Sequence, residues 1–124
     1  MPYKFNDYIP EQGDLIYINF DPSVGREIHK RRPAIVISST TFNYKTGYVA
    51  VCPITSTIRN NPIYVNLHSH KLKGQIISVQ FKTLDFTSNE RNIQFVEKCN
   101  PLDFMKTAKI VNDGLGFDRI INNL

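Results

Sequence analysis

The sequence predicts a mainly β domain with a C-terminal helix, folded as a small, strongly curved antiparallel barrel of SH3 type. Three observations predict it. Apolar residues alternate, or form short β-branched runs, over most of the chain. Glycine, proline and asparagine interrupt these runs at short intervals. One helical repeat occurs, close to the end. At 124 residues and 14.3 kDa the chain reads as one domain, 1–124, long enough to bury a single core.

The elements follow in order. DLIYINF (14–20) alternates, with Ile16, Ile18 and Phe20 on one face and Leu15 and Tyr17 on the other. PAIVIS (33–38) is continuous and β-branched, as a central strand is. GYVAVCPI (47–54) follows a turn at 43–47 and forms a hairpin with it. IYVNL (63–67) starts after the break Asn60-Asn61-Pro62. GQIISVQFKTLD (74–85) is long enough to bend round the barrel edge, and NIQFVEKC (92–99) is the last strand. In NPLDFMKTAKIVNDGLG (100–116), Asn100 caps, Pro101 fits the first turn and Asp103 complements the helix dipole. Leu102, Met105, Ala108 and Val111 recur on one face and are expected against the core, with Gly114 or Gly116 as the stop.

Composition narrows the function. Hydrophobic residues at 41% and charged residues at 21% describe a globular chain rather than a disordered one. No apolar run is long enough to cross a bilayer, and the polar opening MPYKFNDYIP has no signal-peptide core, so a cytoplasmic location is expected. Cys52 and Cys99 belong to no CxxC pair and are expected as packed thiols. A net charge of +4 favours an anionic partner. That charge is uneven: in GREIHKRRPAIVIS (25–38), Arg26, Lys30, Arg31 and Arg32 are offset by Glu27 and run straight into a strand. A solvated charge run needs no such anchor. A cation that must meet a phosphate in one geometry does.

No glycine-rich phosphate loop, GxSxG or HExxH motif occurs. His68 and His70 lack a sequence-adjacent Cys, Asp or Glu to complete a metal shell, and neither metal nor cofactor is expected. Three polar clusters remain, all at strand ends: the basic loop ending in Arg32, the segment Thr55-Ser56-Thr57, and Gln80, Lys82, Thr83 and Asp85. Antiparallel pairing of 33–38 with 47–54 places Arg32 beside Thr55. A guanidinium fork and a hydroxyl held together suit a phosphodiester. Lys30, Arg31, Lys71, Lys73 and Lys82 offer salt-sensitive attraction to a nucleic-acid backbone, and Phe42, Tyr44 or Tyr48 a ring on which a base could stack.

YIPEQGDLIYINFDPSVGRE, KRRPAIVIS, VAVCPITS and residues 80–85 together resemble the MazF/PemK toxins, the mRNA interferases of type II toxin–antitoxin systems. The resemblance runs from about residue 8 to 116. It implies a CcdB/MazF-type barrel that forms a homodimer. It also implies metal-independent, sequence-specific cleavage of single-stranded RNA (mRNA), leaving 2′,3′-cyclic phosphate and 5′-hydroxyl ends and inhibiting translation. Arg32 and Thr55 match the two main catalytic residues, Glu27 the acidic residue of the first loop, and Gln80, Lys82 and Thr83 the segment beside the RNA groove. With Lys30, Arg31 and Ser56 these last three are the expected substrate contacts. The general base stays open between Glu27 and His29, an imidazole having the better ordinary pKa for the task. A cognate MazE-like antitoxin with an acidic C-terminal segment would compete for the same groove. The chain departs from the pattern at Val79, where many members are acidic, at Arg31, where some have histidine, and in the tail FDRIINNL. The rival readings are a CcdB-like gyrase poison, whose C-terminal signature is not evident in 118–124, and a non-catalytic nucleic-acid-binding barrel.

Overall fold

The computed structural model describes residues 8–123; residues 1–7, most of the polar opening segment, and Leu124 lie outside it. Seven strands and three α-helices follow one another: β1 (Asp14–Asn19), β2 (Arg31–Val36), α1 (Thr40–Thr46), β3 (Tyr48–Thr55), β4 (Tyr64–Asn66), β5 (Gln75–Ile77), β6 (Lys82–Asp85), β7 (Gln94–Lys98), α2 (Pro101–Leu115) and α3 (Phe117–Ile121). The strands are hydrogen-bonded in the order β4-β5-β3-β2-β1-β7, every pair antiparallel. β3 is the hub. One of its edges carries β2; the other carries β6 beside its first half and β5 beside its end.

The alternation of β1 maps onto two cores, one on each face of the sheet. Ile16, Ile18 and Phe20 join Ala34, Val36, Val49, Val51, Leu84 and Phe86 on one face. Leu15 joins Ile35, Cys52, Ile54, Val65, Leu72, Ile76 and Val111 on the other, with Phe104 and Ile110 of α2 packed over it. Both thiols are free. Burial pushes each of them up to about 12, which fits their role as packed apolar groups.

Three expectations are corrected. The turn at 43–47 is the end of helix α1, which begins where the Ser39 hydroxyl accepts the Phe42 N–H and stops at Gly47, whose φ is 73°. Buried Asn43 fastens it by donating Nδ2 to the Pro10 carbonyl at 2.8 Å and accepting from the Ser38 hydroxyl. The single strand over 74–85 is two, β5 and β6, separated by a 3-10 turn at Ser78–Gln80. The pairs Ile54↔Ile76 and Val51↔Lys82 leave a surplus in the returning chain, and the turn absorbs it. In α2, Val111 is buried against the core as expected, but Leu102 and Met105 are 57% and 65% exposed, and Asp103 and Thr107 face inward in their place. The cause is polar: the Asp103 carboxylate accepts the His68 backbone N–H at 2.7 Å and lies 2.8 Å from His68 Nδ1, which turns the helix onto that side. Asn100 caps it as expected, accepting from the Leu102 and Asp103 N–H groups, and Gly116 rather than Gly114 ends it.

Candidate active site

Strand parity defines one face at one end of the sheet. Arg32 lies opposite Ile18 and shares its face of β2 with Ala34 and Val36. Thr55 shares its face of β3 with Val49 and Val51, and Lys82 lies opposite Val51. The β2–β3 ladder ends at the pair Ala34 with Pro53; Arg32 and Thr55 each lie two residues beyond it, on the same side of their strands as that pair. Arg32, Thr55 and Lys82 therefore extend the apolar face of the first core beyond its end, where polar side chains reach solvent.

Arg32 is half-buried and donates Nε to the His29 carbonyl at 2.8 Å. Its two terminal nitrogens make no hydrogen bond among the described residues, so they face an incoming group. The Thr55 hydroxyl accepts the Thr57 N–H at 3.1 Å and keeps its own hydrogen for donation. Ser56 is exposed just beyond it.

The basic loop is held from both ends. Phe20 N–H bonds the Lys30 carbonyl at 2.8 Å, and Lys30 itself adopts a left-handed φ of 68°. The Gln80 side-chain carbonyl accepts the Ile28 N–H at 3.0 Å, tying the loop to the turn before β6. Glu27 accepts the Val24 N–H at 2.9 Å and stands 4.0 Å from Lys82 Nζ. His29 has Nδ1 3.3 Å from an Asp21 carboxylate oxygen and Nε2 3.3 Å from the Gly25 carbonyl. Each ring nitrogen thus has an oxygen at 3.3 Å, and a neutral imidazole can donate to one of the two. The Asp21 carboxyl is held below its usual range, first by the Lys30 backbone N–H and then by His29.

Some expected contacts are not brought together. Arg31 lies on the opposite face of β2 from Arg32: its Nε donates to the Asn92 carbonyl and Nη2 to Gln94, over the Tyr17 ring at 5.0 Å. Thr83 sits opposite Ala50, on the other face of β6 from Lys82. Lys71 is tied to the Val96 carbonyl, and Lys73 is exposed in the same loop. Phe42 and Tyr44 belong to α1, and Tyr48 starts β3, at the opposite end of that strand from Thr55.

Residues that sequence reasoning missed build the other wall. Gly74, at φ +134°, lies so close to β3 that a Cβ there would meet the Thr55 carbonyl oxygen at 2.0 Å. Buried Gln75 accepts the Arg59 N–H at 2.9 Å and donates to the Arg59 carbonyl at 3.1 Å and to Asn66 at 2.8 Å. It fixes the loop that follows Thr55. Between the walls lies a groove of about 780 Å³ lined by Arg26, Glu27, Arg59, Ile63, Tyr64, Val79 and Gln80. It adjoins a recess of about 310 Å³ that shares Glu27, Val79 and Gln80 and adds Lys82. No group of three His, Cys, Asp or Glu side chains is gathered for a metal among the described residues.

A cationic groove at the strand ends of a small antiparallel β domain with a C-terminal helix is the form of the small endoribonuclease toxins. Comparison gives the family: residues 11–113 match the model of the PemK-like, MazF-like toxin of type II toxin–antitoxin systems, and the chain belongs to that family. It is 36% identical over 77 residues to the endoribonuclease toxin MazF of Escherichia coli K12, a match covering 62% of this chain and 69% of that protein. The crystal structure of MazF from Deinococcus radiodurans superposes with a TM-score of 0.83 at 30% identity, covering 89% of this chain and 99% of that one. A MazE–MazF complex from the same organism matches with a TM-score of 0.76 at 30% identity, covering 89% of this chain and 98% of that one. An endoribonuclease from a mycobacterial species, at 19% identity and a TM-score of 0.70, shares the fold. The chain is thus a MazF-like endoribonuclease toxin.

Proposed function

We propose that the chain cuts single-stranded RNA, mRNA included, at short sequences and without a metal ion, by intramolecular transesterification. The observation that supports this reading is the antiparallel pairing of β2 with β3, whose register, continued past Ala34 and Pro53, would bring Arg32 beside Thr55 at the end of the sheet nearest the basic loop. The ribose 2′-oxygen attacks the adjacent phosphorus. The 2′-O–P bond forms, the P–O5′ bond breaks, and the 2′-proton leaves to a base while the 5′-oxygen takes one up. The products are a 2′,3′-cyclic phosphate and a 5′-hydroxyl, and DNA, lacking the nucleophile, is spared.

The free end of the Arg32 guanidinium supports the dianionic phosphorane, and Thr55 donates to a non-bridging oxygen. Glu27 is the base this geometry favours. Its carboxylate lines both the groove and the recess beside Lys82, whereas the His29 ring is engaged on both sides by Asp21 and Gly25. Lys30, Lys82 and Ser56 stand where the RNA backbone would pass, and Gln80 acts through the loop it holds. Arg31, Thr83, Lys71 and Lys73 are placed elsewhere and take no direct part in this reading.

The relatives solved as MazE–MazF complexes support a cognate antitoxin, and an acidic segment of such a partner matches the charge of the groove. A cytoplasmic homodimer that inhibits translation completes the proposal. Its test is incubation of the purified protein with end-labelled single-stranded RNA in EDTA. Discrete cuts bearing cyclic-phosphate ends are expected. A mobility shift without cutting would mark a binder instead, and trapping of gyrase on plasmid a CcdB-like poison.

A further inference from the structure

Across Tyr64 from the catalytic groove lies a second pocket, of about 350 Å³, with Tyr64, His68, Lys106 and Lys109 on its walls. Tyr64 lines both spaces, so the two are neighbours on one surface. Arg59 stands 6.0 Å over the Tyr64 ring from the catalytic side. We infer that this pocket is a distal RNA subsite: it takes a flanking ribose and phosphate of a strand whose scissile bond lies in the catalytic groove. The inference rests on the RNA-cleaving reading above.

The pocket is built for that ligand by chemistry already in place. Asp103 is buried and lies 2.8 Å from His68 Nδ1, which fixes the ring and leaves Nε2 as its free polar atom. The His68 side chain is 66% exposed, so the oriented ring is open to solvent. An oriented imidazole nitrogen suits the 2′-hydroxyl of a ribose, which can both donate and accept and which a deoxyribose does not offer. Lys106 makes no hydrogen bond or ion pair among the described residues and supplies the charge for a phosphate. Lys109 is partly neutralised by Asp113 at 3.1 Å and is the lesser contributor. Tyr64, with Arg59 above it, is the aromatic step between the subsites on which a base can stack. Imidazole, ammonium and tyrosine ring in succession offer a hydroxyl partner, a phosphate partner and a stacking face, the three groups an RNA chain presents at regular spacing and an acidic peptide does not.

The test uses a single-stranded RNA that the wild-type protein cuts, in a long form and trimmed to the shortest form still cut. For Lys106→Glu on the long RNA, KM is expected to rise about tenfold with kcat unchanged, and His68→Gln is expected to raise it less. Cutting of the trimmed RNA is expected to be unaffected in both. With Lys106→Gln, the dependence of log affinity on log salt for the long RNA should become shallower by about 0.7. Equal KM in wild type and variants on the long RNA would overturn the subsite while leaving the cleavage reading intact. Equal KM together with lost binding of a polyglutamate peptide would overturn it in favour of an acidic protein partner. If wild type cuts neither RNA, the parent reading fails first and the subsite with it.

Discussion

At the scale of the residue, the antiparallel pairing of β2 with β3 was legible in the sequence, and the pair Ala34 with Pro53 sets the register from which Arg32 and Thr55 are proposed as neighbours. Arg32→Ala is expected to lower kcat by about 10²–10³, the usual effect of losing one charged transition-state contact, with an unchanged thermal midpoint. Similar turnover in the variant would remove Arg32 from the chemistry. Thr55→Val should lose less. Glu27→Gln is expected to abolish most cleavage, while His29→Gln leaves much of it; the reverse order in single-turnover assays would reassign the base. Sequence left that choice open because the two bonds that occupy the imidazole come from residues whose folding back onto His29 only the loop conformation reveals. Thr83 was grouped with Lys82 because they are neighbours in the chain, yet adjacent strand residues point to opposite faces.

At the scale of the element, strands were easier to read than the connections between them. The alternation in β1 and the β-branched run in β2 report burial on each face directly. Helix α1 was hidden in an apparent turn, although Ser39 and Gly47 are ordinary signals for its start and stop. In α2 the apolar stripe placed Val111 correctly but Leu102 and Met105 wrongly. Its true orientation is set by Asp103 reaching the backbone of residue 68, a contact between distant segments with no local signature. Gly74 and Gln75 were missed for the same reason. Gly74→Ala is expected to destabilise the protein by about 1–3 kcal/mol, because a Cβ 2.0 Å from the Thr55 carbonyl must displace backbone. The shift should also lower cleavage, since it moves the segment that carries Thr55. Chemical denaturation and activity measured on the same sample check both parts; a variant as stable and active as wild type would mean that β5 need not lie so close to β3.

At the scale of the whole molecule, two cores back to back on one sheet hold every strand end rigidly, and the cleft occupies only the rim of one of them. Electrostatics acts separately on rim and body. Cleavage should weaken steeply with added salt under subsaturating RNA, as binding to a polyanion does, while folding stability changes little. Buried Asp14 gathers Tyr8 and Lys98 at the other side of β1. The hydrogen bond that Lys98 donates to Asp14 raises the Lys98 pKa; burial, then the same carboxylate, raises that of Tyr8. For a group raised on folding, the stabilisation is fully present below its unfolded value, about 10.5 for lysine, and is lost as pH rises through the folded one. Lys98→Met should therefore melt below wild type at neutral pH, with the gap narrowing in strongly alkaline buffer. A gap that stays constant across that range would assign the effect to packing.

The bond from Arg32 Nε to the His29 carbonyl makes this arginine, the cutting residue proposed above, a hostage of the loop before it. On that proposal an inhibitor need not fill the groove to silence the protein: peeling residues 25–30 off Gln80 would take away the carbonyl that holds the guanidinium. Disarming and unfastening are then one movement, and a partner that grips only the outside of that loop holds the safety catch.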